Sequence, residues 1–102
     1  MWFKVSEKPP EPNTMTEISV DDNQLVLTKY NGRFYCFKNQ CPHEDFQLSL
    51  GCIQDGQVKC SLHGFYFDLI NGESSEEGVE PLNLFRVKIE NEVIYVEVNS
   101  DQ

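Results

Sequence analysis

Cys60-Ser61-Leu62-His63-Gly64-Phe65-Tyr66-Phe67-Asp68, taken together with Cys41-Pro42-His43 upstream, decides how the rest of the chain is understood. Both histidines of the protein lie in these runs, each two or three positions after a cysteine. Thiolate and imidazole suit soft or borderline metals, provided the coordinating atoms are deprotonated. Close spacing lets one loop tip present both side chains to one centre. Two such tips would supply four ligands, and the candidates are Cys41, His43, Cys60 and His63.

Working outward, the flanks are rich in strand and turn signals. Arg33 to Lys38 alternates, with Phe34 and Cys36 on one face and Tyr35 and Phe37 on the other. It is preceded by Asn31-Gly32, a strong hairpin signal because both residues accept positive φ. Gln24 to Tyr30 and Thr16 to Val20 are the strands before it, and Trp2 to Val5 opens the chain. Residues 39 to 51 are expected to be loop, and Asp55-Gly56 marks a tight turn between Cys52-Ile53 and Gln57 to Lys59. Phe65 to Phe67 is a short strand, and Glu73 to Gly78 a solvated acidic loop. Leu84 to Glu90 is expected as one strand, and Val93 to Val98 as its partner, with Ile94, Val96 and Val98 on a shared face. No helical period is visible. Many short strands between turn residues predict an all-β sandwich or barrel-like fold, with any helix short and in a loop.

A chain of 102 residues forms one domain, 1–102. Its net charge of −9 opposes binding to nucleic acid phosphates or to an anionic membrane surface, and suits a basic protein face. No apolar run approaches the roughly 20 residues of a membrane span. The first residues show no secretory signal, which gives a cytoplasmic expectation. In a reducing compartment the four cysteines point to metal or thiol chemistry rather than disulfides.

Two centres fit the ligand inventory. One is structural Zn²⁺ with two thiolates and two imidazoles, although zinc sites usually pair Cys with Cys and His with His. The other is a two-iron, two-sulfide cluster in which two histidines replace two cysteines on one iron. Mixed runs serve that cluster well, since each loop can give a thiolate to the inner iron and an imidazole to the outer. Cys36 and Cys41 also have the x₄ spacing of plant-type clusters, but no Cys-x₂-Cys follows, and both histidines would be unexplained.

At these residues the chain resembles the small soluble Rieske-type ferredoxins. Cys60 to Asp68 follows that family's Cys-x-x-His-Gly-x-x-Phe-Asp stretch, Asn71-Gly72-Glu73 is similar to the turn after it, and Pro81-Leu82 resembles the proline loop that covers the cluster. The resemblance implies stacked antiparallel sheets with a cluster-binding part, roughly 39–81, made of two hairpin loops. It implies one [2Fe–2S] cluster per chain, Cys41 and Cys60 on the buried iron, and His43 and His63 on the outer iron through Nδ1. It also implies a monomeric one-electron carrier, not itself an enzyme, between a flavin-containing NAD(P)H reductase and a terminal oxygenase. The alternatives are a small electron-transfer subunit of a multicomponent enzyme, of oxygenase or nitrite reductase type, and a zinc module. With only two histidines the chain lacks a third His for the mononuclear iron site of an oxygenase catalytic subunit.

The respiratory relatives of that family carry a disulfide where this chain has Phe46 and Leu62, and hydroxyl donors to the cluster where it has Phe65 and Phe67. Without those donors the potential is expected toward the low end of the Rieske range of roughly −150 to +300 mV. Cys36 is expected to be a core residue, Cys52 a structural or weakly exposed thiol, and Glu44-Asp45 an acidic rim or a solvated loop.

Overall fold

The computed structural model describes residues 2–6, 11, 14–20, 22–41, 47–60 and 64–98. Among the described residues, ten strands form three antiparallel sheets. The central sheet contains β2 (Met15–Val20), β3 (Asn23–Tyr30), β4 (Arg33–Lys38) and β8 (Leu84–Phe85), in the order β2-β3-β4-β8. A terminal sheet joins β1 (Trp2–Ser6), β10 (Val93–Glu97) and β9 (Val87–Glu90) in that order. A small sheet is the meander β5 (Cys52–Gln54), β6 (Gln57–Lys59) and β7 (Tyr66–Asp68). The one helical piece among the described residues is a 3₁₀ turn at Leu48–Leu50, inside a loop as expected.

The central sheet is buried on both faces. Leu25, Val26, Leu27 and Thr28 of β3 are all inaccessible, so the strand reads as a continuous apolar run instead of an alternating one. One face builds a far core with the terminal sheet, where Leu25, Leu27 and Cys36 meet Ile94, Val96 and Val98. The opposite face builds a second core with the small sheet, where Val26 and Phe37 meet Val58, Phe67, Leu69, Cys41 and Cys60. Strand β4 divides them as its alternation requires: Phe34 and Cys36 face the far core, Tyr35 and Phe37 the other.

The hairpins obey their turn chemistry. Asn31-Gly32 and Asp55-Gly56 both take positive φ, at 53° and 80° and at 51° and 78°. Gly56 also docks the small sheet, because a Cβ there would lie 3.0 Å from the Tyr30 ring of β3. At Asn91-Glu92 the second turn residue is a glutamate held at φ 66°, a left-handed conformation that L side chains adopt at a cost.

One expectation is corrected. Leu84 to Glu90 is not one strand: the chain changes sheets at Arg86, with Phe85 opposite Cys36 in the central sheet and Val87 opposite Val96 in the terminal one. The Arg86 carbonyl still accepts the Glu97 N–H at 2.9 Å, so the crossing residue is satisfied while the chain bends over the far core. Ile89, near the end of that run, is 48% exposed. The acidic segment 73–78 is a solvated loop as expected, and it is tied to β7 where Ser74 bridges to Phe67 and the Ser75 N–H donates to the Tyr66 carbonyl at 2.8 Å.

Candidate metal centre

The first ligand loop leaves β4 at Asn39 and ends at the 3₁₀ turn. Asn39 is only 7% exposed, and it holds the loop by its base. Its backbone N–H donates to Gln24 O at 2.8 Å, while its side chain donates to Ser49 Oγ at 3.1 Å and accepts the Ser49 N–H at 2.9 Å. Ser49 Oγ in turn donates to Glu17 Oε1 of β2 at 2.5 Å. Cys41 and Leu48, just inside this clamp, are both buried in the ligand-side core. The sequence marked Asn39 only as the entry to the loop. A polar residue between a strand and a metal-binding run was the available signal.

The second loop is the tip of the β6–β7 hairpin. Beyond the pairs Val58↔Phe67 and Lys59↔Tyr66, the Cys60 N–H donates to Phe65 O at 2.9 Å and the Gly64 N–H to Cys60 O at 2.9 Å. Gly64, at φ 72°, takes the left-handed conformation that closes so tight a tip. Cys60 is thereby fixed at 1% exposure, in the same apolar core as Cys41.

A third segment closes over the first. The Leu82 N–H donates to Gly72 O at 2.7 Å, and a Cβ on Gly72 would approach Leu82 O to 2.7 Å, so only glycine lets these backbones meet. Pro81 then lines, with Cys41, Lys38, Gln40, Glu80 and Asn83, a cavity of about 210 Å³. The proline loop singled out in the sequence is therefore beside the first cysteine.

The other two cysteines separate cleanly. Cys36 lies in the far core at 1% exposure, on the face of β4 turned away from Cys41. Burial pushes its thiol from 9.0 up to about 12, so at neutral pH it stays protonated. The Cys36–Cys41 pairing is ruled out by this geometry. Cys52 is exposed on β5, across from Lys59. His43 and His63, with Glu44, Asp45, Phe46 and Leu62, lie outside the described residues. Phe67 is fully buried and Phe65 packs against the same core.

Two sulfurs buried in one apolar core, on loops braced at their bases, with an imidazole two or three residues beyond each in sequence, fit a mixed thiolate–imidazole centre. Residues 1–86 match the family model described as the Rieske [2Fe-2S] domain. The chain belongs to the Rieske [2Fe–2S] domain family. This sets aside the zinc reading. Human Apoptosis-inducing factor 3 is 34% identical to the Rieske domain over 87 residues, 84% of this chain but 14% of that protein, so the chain spans a small part of that relative. The biphenyl dioxygenase ferredoxin subunit of Pseudomonas sp. (strain KKS102) is 32% identical over 95 residues, covering 91% of the Rieske domain and 85% of the subunit. A solved complex of reduced oxygenase and oxidized ferredoxin in carbazole 1,9a-dioxygenase contains a chain that superposes with a TM-score of 0.82 at 25% identity, covering 93% of this chain and 91% of that one. The all-β fold of stacked antiparallel sheets is thus the Rieske fold.

Proposed function

We propose that this Rieske domain is a one-electron carrier, a ferredoxin that takes electrons from an NAD(P)H-dependent flavin reductase and delivers them to a terminal oxygenase or similar acceptor. The observation that carries this reading is the pair Cys41 and Cys60, buried together at the ends of two braced loops. In it, Cys41 and Cys60 hold the inner iron and His43 and His63 the outer. When bound, the cluster accepts and returns a single electron. The residues around it keep water from the thiolates and fix the loop bases through Asn39–Ser49 and Cys60–Phe65, which limits rearrangement on electron transfer. They supply no acid or base to a substrate, so the domain carries electrons and leaves catalysis to its partner.

The oxygenase partner is supported by the names of the biphenyl and carbazole relatives. The reductase, a monomeric state and a cytoplasmic location belong to the same proposal; no helix among the described residues is long and apolar enough to cross a membrane. A second reading, a domain built into a larger redox protein, is favoured by the 14% share of human Apoptosis-inducing factor 3 that the chain matches. Dithionite titration of the purified chain tests the carrier role. One electron per chain, with full return of the oxidised spectrum in air, is expected. Zinc without sulfide, or uptake of two electrons, would contradict it. Phe67→Tyr, which puts a hydroxyl into the ligand-side core, is expected to raise the midpoint potential if that hydroxyl reaches a sulfur.

A further inference from the structure

The protein carries eight lysines and arginines against seventeen acids, yet two lysines are placed at the roots of the two ligand loops. Lys38 ends β4, three residues before Cys41; it starts on the strand face of Phe34 and Cys36, at the rim of the cavity of about 210 Å³ that Cys41 also lines. Its backbone N–H is tied to Asn83 O at 3.0 Å, which fixes where the side chain starts. Lys59 ends β6, immediately before Cys60. Its side chain runs along the outer face of the small sheet toward the hairpin tip: Nζ lies 5.6 Å from the centre of the Tyr66 ring, and a Cβ built on Gly64 would be 3.6 Å from Lys59 Cε. Both side chains are half-buried, and among the described residues neither ammonium is in an ion pair. On the terminal sheet, by contrast, Arg86 and Lys88 are matched by Glu97 and Glu90.

We infer that Lys59, and more weakly Lys38, raise the reduction potential of the centre, by offsetting the negative charge that arrives with the electron. The inference rests on the ligand set proposed above. Two ferric ions, two sulfides and two thiolates sum to zero, and one electron leaves a single negative charge. An ammonium near that charge stabilises the reduced state more than the oxidised one, and partial burial protects the interaction from screening. The need is local. Phe65 and Phe67 have no hydroxyl to donate, so stabilising the added electron falls to backbone N–H groups and to nearby positive charge. Glu80, which lines the Lys38 cavity, acts in the opposite direction.

The test is the midpoint potential of the cluster-loaded chain, followed by its visible spectrum at fixed pH and low ionic strength. K59Q lowers the midpoint, K38Q lowers it less, the double variant lowers it by the sum, and E80Q raises it. K38R and K59R keep the wild-type value, and added salt shrinks every difference. If a Gln variant loses its cluster, the Met variant of the same lysine is measured instead. A double variant with an unchanged midpoint overturns the inference, as does a fall that the Arg variants share. A wild-type chain that holds no iron and sulfide would instead sink the ligand assignment beneath it. The two failures are therefore distinct.

Discussion

Two environments for buried cysteine lie on either side of the central sheet, and they differ in what holds them. On the far side, Cys36 is in mid-strand, packed by Leu27 and by residues of the terminal sheet, and its thiol is raised to about 12 by burial alone. On the other side, Cys41 and Cys60 are equally buried but sit where strands give way to loops, Cys60 in a backbone hydrogen bond to Phe65 and Cys41 beside the Pro81 segment. Burial by itself makes a thiol inert. Burial at a loop end, with polar backbone at hand and an imidazole next along the sequence, suits a thiol to the ligand role proposed for it.

The comparison predicts that the two halves lose stability for different reasons. The largest effect is expected from Cys60→Ala: iron content should fall to background and β5–β7 should lose most hydrogen-exchange protection. The far core should hold, so fluorescence of the single tryptophan, Trp2 on the terminal sheet, should keep its folded signature. Exchange and fluorescence changing together would mean that the halves are one unit.

Next is the pH dependence of the far core. The folded Cys36 thiol titrates above its ordinary value, so the folded state keeps a proton that the unfolded state gives up. Its contribution is complete below 9.0 and is lost as pH rises from there to about 12. A displacement of that size is worth about 4 kcal/mol. Cys36→Ala should flatten this part of the stability–pH curve, measured by urea unfolding at several alkaline pH values, although it removes some packing at every pH.

Gly72→Ala acts on the ligand side, where it would force a Cβ toward Leu82 O at a residue with φ +79°. A loss of about 1–3 kcal/mol in chemical unfolding is expected from the strained conformation and the displaced loop. The smallest effect should be a gain: Glu92→Gly relieves a left-handed residue in the β9–β10 turn and should stabilise the far half by about 1 kcal/mol. A loss there would show that Glu92 makes a contact worth more than its strain.

Much of this was legible in the residues. Asn31-Gly32 fixed the β3–β4 hairpin, and with it the two-faced alternation of β4 that separates Cys36 from Cys41. The double Cys/His motif pointed to the centre and its family before any geometry. The change of sheet at Arg86 was not legible, because alternation continues through it and only the partner strands differ. Nor was the pairing of Ser74 and Ser75 with β7, where a polar, acidic composition conceals backbone hydrogen bonds that do not depend on side-chain type. The Asn39–Ser49–Glu17 chain joins residues far apart in sequence, which local pattern cannot bring together.

The most direct test of the ligand assignment is electron–nuclear double resonance on the dithionite-reduced chain. Nitrogen couplings from two histidines on one iron are predicted, with one of the two lost in His63→Cys and one in His43→Cys. A reduced spectrum without nitrogen coupling, or one that both substitutions leave unchanged, would contradict the assignment.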